Sequence, residues 1–82
     1  MIMGRKSIDV IREIVEAVAR DERTDVEVTA VTPCEARGAY AEVLVTRRNP
    51  GNGPSQMLIG IERDLPEPDL RRRFSARLRA RA

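Results

Sequence analysis

Apolar residues return at intervals of three and four between Ser7 and about Arg23. Ile8, Ile11, Ile14, Val15 and Val18 share one side at about 100° per residue, with Val10 and Ala17 at its edge. Arg12, Glu13, Glu16 and Arg20 fall opposite. The pattern predicts an amphipathic helix over about 7–23. Ser7 is its expected N-cap, because a hydroxyl there accepts from an otherwise unpartnered backbone N–H, and Asp9 suits the positive end of the helix. Glu16 and Arg20 stand four apart in the favourable order, a pair worth roughly 0.2–0.5 kcal/mol. The polar run Asp21 to Asp25 ends the helix.

The period then changes to two. Over 25–32, Val26, Val28 and Ala30 alternate with Glu27, Thr29 and Val31, which predicts a half-buried strand with the first set inward. Pro33 is expected to stop it, since proline has no N–H for a ladder. A turn follows over 34–38, with Gly38 free to take a positive φ. A second strand is predicted over 39–48. Ala39, Ala41, Val43 and Val45 share one face; Tyr40, Glu42, Leu44 and Thr46 share the other. Residues 49–54, Asn-Pro-Gly-Asn-Gly-Pro, form the clearest loop in the chain. A third strand is predicted over 56–62, with Met57, Ile59 and Ile61 on one face and Gln56, Leu58, Gly60 and Glu62 on the other. Short connections favour an antiparallel meander with 39–48 in the middle.

Pro66 and Pro68 around Glu67 read as a helix start, and the last helix is predicted over 68–80. Leu70, Phe74 and Leu78 form its narrow apolar stripe, with arginines over most of the remainder. The whole is an α+β chain of order α-β-β-β-α, a single small domain over 1–82. Two helices cover the face made by Val26, Val28, Ala30, Val43, Val45, Met57, Ile59 and Ile61, since each element alone leaves an apolar side in water.

That element order resembles the double-stranded-RNA-binding domain in topology. The residues that mark the family are replaced here. Its Gly-Pro-x-His turn corresponds to Pro33-Cys34-Glu35-Ala36-Arg37-Gly38, and its opening Lys-Lys-x-x-x-Lys corresponds to a helix that starts with Glu67, Pro68 and Asp69. The resemblance implies a fold and no site residues.

Composition narrows the chemistry. With Tyr40 and Phe74 as the sole aromatics, the core is built from Val, Ile, Leu, Met and Ala, and a thin core of this kind is often supplemented by oligomerisation. The chain has no histidine and one cysteine. Ser-His-Asp and Cys-His catalysis, histidine metal sites and zinc or iron–sulfur sites within one chain are thereby excluded. Cys34 beside Glu35 reads as a spectator thiol. No enzyme, no cofactor and no metal are expected. A lone cysteine fits a reducing compartment, so a cytoplasmic location is expected. No apolar run approaches the roughly 20 residues of a membrane span, and charges interrupt the apolar part of the N-terminus, unlike a signal peptide.

Charge divides the chain. Residues 1–70 hold nine basic and thirteen acidic side chains, a net of −4, whereas 71–82 hold six arginines and no acid. Two expectations follow. In the first, Arg71, Arg72, Arg73, Arg77 and Arg79, with Arg47 and Arg48 beside the loop, contact a nucleic acid or another polyanion through phosphate. Its bland counterpart is a solvated helix face whose arginines pair with acids such as Glu13, Glu16 and Asp21. In the second, the chain is an interaction module that forms a homodimer through Val31, Tyr40, Leu44 and Leu58 on the outer sheet face, with no nucleic acid. Glu27, Glu42 and Glu62 share that face. They read either as a carboxylate cluster or as the polar half of an alternating sheet.

Overall fold

The computed structural model of the chain describes residues 6–22, 25–34, 39–48, 51 and 55–80. Five elements follow in order: α1 (Ile8–Glu22), β1 (Val26–Cys34), β2 (Tyr40–Arg47), β3 (Gln56–Glu62) and α2 (Glu67–Ala80). The strands form an open antiparallel sheet in the order β1-β2-β3. The predicted α+β order and its meander are both present, each boundary within two residues of its expected place.

Local chemistry explains the starts. The Ser7 hydroxyl accepts from the Val10 N–H at 3.2 Å, the N-cap bond that frees the first turn from an unpartnered donor. At the start of α2, the Leu70 N–H reaches the Pro66 carbonyl at 2.9 Å, so Pro66 and Pro68 fall where a missing N–H costs nothing. Lys6 ties the start of α1 to the β3–α2 connection. Its N–H donates to the Arg63 carbonyl at 3.0 Å, its carbonyl accepts from Arg63 Nε at 3.1 Å, and its Nζ donates to the Leu65 carbonyl. Gly51, with φ of 61°, supplies the left-handed residue in the β2–β3 loop. The Gly38 turn lies outside the described residues.

β1 departs from the predicted alternation. Its register against β2 runs Val26↔Arg47 and Val28↔Val45, then jumps to Ala30↔Leu44 and Val31↔Val43. Thr29 is the extra residue of a β-bulge. The bulge reverses the facing of everything after it. Val31, expected on the outer face and at a dimer interface, is 5 % exposed and part of the core. Ala30, expected in the core, lies opposite Leu44 on the outer face. Thr29 itself is held by its hydroxyl, 3.2 Å from the Leu44 carbonyl and 3.1 Å from Thr46 Oγ1.

Pro33 does not stop β1, which continues to Cys34. The Arg48 N–H donates to the Asp25 carbonyl at 2.8 Å, so the even residues of β2 turn their backbone groups towards β1. They meet Ala30, Thr32 and Cys34. Pro33 therefore falls at an outward position of an edge strand, where its missing N–H removes no ladder bond.

The covered face and the helices close over one core. Val26, Val31, Ala41, Val43, Val45, Met57, Ile59 and Ile61 meet Ile11, Ile14, Val15, Val18 and Ala19 of α1 and Leu70, Phe74 and Leu78 of α2. Phe74, Leu70 and Leu78 are wholly buried, as the four-residue stripe predicts. Ile8, Val28 and Leu65 pack at the rim. No described helix is long and apolar enough to cross a membrane.

Candidate functional site

The arginines of α2 turn inward upon the protein's own acids. Arg71 Nε lies 2.9 Å from Glu67 Oε2, and Arg72 pairs with Asp69, so the first two close onto the acids that open their helix. Arg73 Nη1 lies 2.9 Å from Glu62 Oε2, and Arg77 Nη1 lies 3.2 Å from Glu62 Oε1. Arg79 Nε reaches Glu22 Oε1 at 3.1 Å, and its Nη2 donates to the buried Ser75 hydroxyl at 3.0 Å. Among the described residues, Glu13, Glu16 and Asp21 do not pair with these arginines; Glu62 and Glu22 take their place because α2 runs along β3 and crosses the end of α1. Arg71, Arg72 and Arg79 do share an open cleft between the helices, but Asp21 and Glu22 line it too.

The loop arginines do not join them. Arg47 stands opposite Val26 at the end of the covered face, with its Nε buried. Arg48 faces the other way and lies 3.4 Å from Glu27. The seven arginines expected at a phosphate surface are thus divided among the two sheet faces and α2. Of the 47–54 loop, only Arg47, Arg48 and Gly51 fall within the described residues.

Glu62 is the most densely held acid. Its carboxylate accepts from Arg73 and Arg77 and lies 3.4 Å from the Tyr40 hydroxyl. Burial pushes its pKa up. The backbone N–H and side-chain hydrogen bonds it accepts, together with the charges of Arg77 and Arg73, outweigh burial and hold it below its ordinary value of 4.5. Arg77 also donates to the Gly60 carbonyl at 2.6 Å. That carbonyl points away from β2, so Arg77 caps part of the open edge of β3.

The outer sheet face has no described element over it. Its residues stand in four cross-strand rows: Glu27, Thr46 and Gln56; Ala30, Leu44 and Leu58; Thr32, Glu42 and Gly60; Cys34, Tyr40 and Glu62. The three acids lie in three different rows, so they do not converge as a carboxylate cluster. Among the described residues no group of three or more Cys, Asp or Glu is arranged to hold a metal ion. Cys34 is partly exposed at the end of β1, beside Tyr40. Leu58 is 52 % exposed at the β3 end of the second row, beside Leu44, with Ala30 beyond it on β1. Sequence alternation placed Leu44, Leu58 and Tyr40 here. It missed Ala30, whose small side chain beside the β-branched Val31 was the available signal. No family model, no curated protein and no solved structure matches the chain.

Proposed function

We propose that the chain is a homotypic protein-interaction module, without catalytic activity, that associates through the open face of its sheet. The observation that carries this reading is the apolar row Ala30–Leu44–Leu58 crossing all three strands in the middle of that face. Two large hydrophobic side chains among the described residues are more than a third exposed, Val10 and Leu58. Val10 stands singly on a helix, which is ordinary. Leu58 has apolar neighbours on the same row, and burying one such side chain fully is worth about 1.5–3 kcal/mol. A thin, aromatic-poor core covered on one side gains most from such burial.

The polyanion reading draws less support. A guanidinium already paired with a carboxylate must leave it before it can take a phosphate. The salt-dependent affinity that several free arginines would supply is reduced accordingly.

Light scattering across a wide range of concentration tests the proposal. The expected result is a mass that rises from one chain to two, and that stays at one chain after Tyr40→Glu with Leu44→Glu. Duplex RNA or DNA added at low salt is expected to leave the mass unchanged. A chain that is monomeric at every concentration overturns the proposal, as does a nucleic-acid complex lost on Arg71→Glu with Arg72→Glu.

A further inference from the structure

Resting on the homotypic reading, we infer that the second copy docks about a two-fold axis lying along the row Ala30–Leu44–Leu58, so that Glu42 of each protomer meets the partner's Thr46. In the aligned class of sheet packing the strands of the two sheets lie within about 30° of parallel or antiparallel. For a dimer of that class two simple two-fold axes lie in the plane of the interface, one along the strands and one across them. The order of side chains on the face chooses between them.

On the outer side of β2 the residues run Tyr40, Glu42, Leu44, Thr46, with Arg48 next beyond the strand. Arg48 shares this side, since it pairs with the outer-face Glu27. Reversed about Leu44, this column is complementary to itself. Leu44 meets the partner's Leu44, Glu42 meets the partner's Thr46, and Tyr40 comes over the partner's Arg48. The flanking strands behave alike. On β1, Glu27 faces the partner's Thr32; on β3, Gln56 faces the partner's Gly60; Ala30 and Leu58 fall on the axis with Leu44. Carboxylate meets hydroxyl, guanidinium meets aromatic face and the apolar row meets itself. An axis along β2 instead sets Glu42 against the partner's Glu42, two like charges inside an interface.

The Thr46 hydroxyl can supply the proton. Thr29 gives its one proton to the Leu44 carbonyl, so across their 3.1 Å separation it is Thr46 that donates to Thr29 in the free chain. In the dimer the Thr46 O–H turns from Thr29 to the partner's Glu42, a charged acceptor that makes the stronger bond. The face measures about 14 by 24 Å on sheet spacings. That is small against the roughly 800 Å² per partner of a standard interface, which places the dimer among the weak, transient associations.

Analytical ultracentrifugation of the full chain tests the axis with two substitutions. Thr46→Glu opposes the partner's Glu42 and is expected to weaken the dimer about tenfold or more. Adding Glu42→Lys to it sets opposite charges across the axis and is expected to restore dimerisation to about the wild-type level or tighter. A misfolded single variant would not be rescued in this way. With the axis along the strands, the double variant sets each new charge against its own copy and stays monomeric. A wild-type dimer broken by Leu44→Glu but not rescued by the double variant overturns the axis and leaves the interacting face standing. A wild-type chain that never dimerises overturns both.

Discussion

Glu62 stands where β3 ends and α2 returns along it, and it holds the two together. It accepts from Arg73 at 2.9 Å and Arg77 at 3.2 Å, with 18 % of its side chain exposed, so the contacts are only partly screened by water. Its pKa is lowered in the folded protein, so folding favours the ionised form. That contribution is complete above the ordinary value of 4.5, declines as pH falls below it and disappears once pH passes below the folded value. Glu62→Gln is therefore expected to cost about 1 kcal/mol at neutral pH and close to nothing in acid. Urea midpoints for both proteins, followed from about pH 7 down through 4.5 and below, check this by a gap that narrows as the pH falls. A gap that persists unchanged in acid would mean that the side chain acts through packing and not through charge. Periodicity placed Glu62 on the outer face, next to Tyr40. It carried no information on Arg73 and Arg77 as partners, because that depends on how α2 lies along β3, and no residue spacing encodes a crossing.

β1 shows how an element can follow its propensity and still reverse half its faces. Val26, Val28 and Ala30 alternate without a flaw in sequence, yet the inward set is Val26, Val28 and Val31. The physical choice is between burying Ala30 with no insertion and burying Val31 at the cost of one unpaired residue. Two extra methyls favour Val31 by about 1–2 kcal/mol, at about 0.8 kcal/mol per buried carbon, and the Thr29 hydroxyl adds contacts to the Leu44 carbonyl and to Thr46. The same physics makes an unusual deletion tolerable. Without Thr29, Val28 stays inward, Ala30 outward and Val31 inward, so regular alternation meets the existing register. Deleting Thr29 is expected to preserve the fold at a cost of about 1 kcal/mol. Deleting Glu42 instead flips one half of the central strand and is expected to unfold the chain. Denaturant midpoints and the dispersion of amide NMR shifts check the pair; loss of structure on removing Thr29 would show that the bulge is required and not merely accommodated. Another detail was legible: the stripe of Leu70, Phe74 and Leu78 foretold which side of α2 is buried. Arg47 was expected with Arg48 at a phosphate surface, although alternation continued along β2 was the signal for its place opposite Val26 on the covered side.

At the scale of the molecule, the division of charge between residues 1–70 and α2 is the feature that sequence made plainest and structure redirected. The elements, their order and the covered face could be read from periods of 3.6 and 2. The destination of the arginines could not, because pairing between distant segments depends on packing. Once folded, the basic helix lies against an acidic body through Arg73 and Arg77 on Glu62 and Arg79 on Glu22. Two electrostatic effects then oppose each other. The formal net charge of +2 is a small overall repulsion, which salt would relieve. The cross-element pairs attract, and salt screens them. Arg79 is 68 % exposed and Arg73 46 % exposed, so each pair is worth only roughly 0.2–1 kcal/mol at low salt. Three such contacts at short range still exceed the repulsion of two net charges spread over the surface, so attraction wins. Raising the salt from low to well above physiological strength is expected to destabilise the protein by about 1 kcal/mol or less and lower the melting temperature by a few degrees. Calorimetry at constant protein concentration, with chloride as the salt, makes the comparison. A melting temperature that rises with salt would mean that repulsion dominates, and that the arginines of α2 stand as an unsatisfied positive surface open to a polyanion.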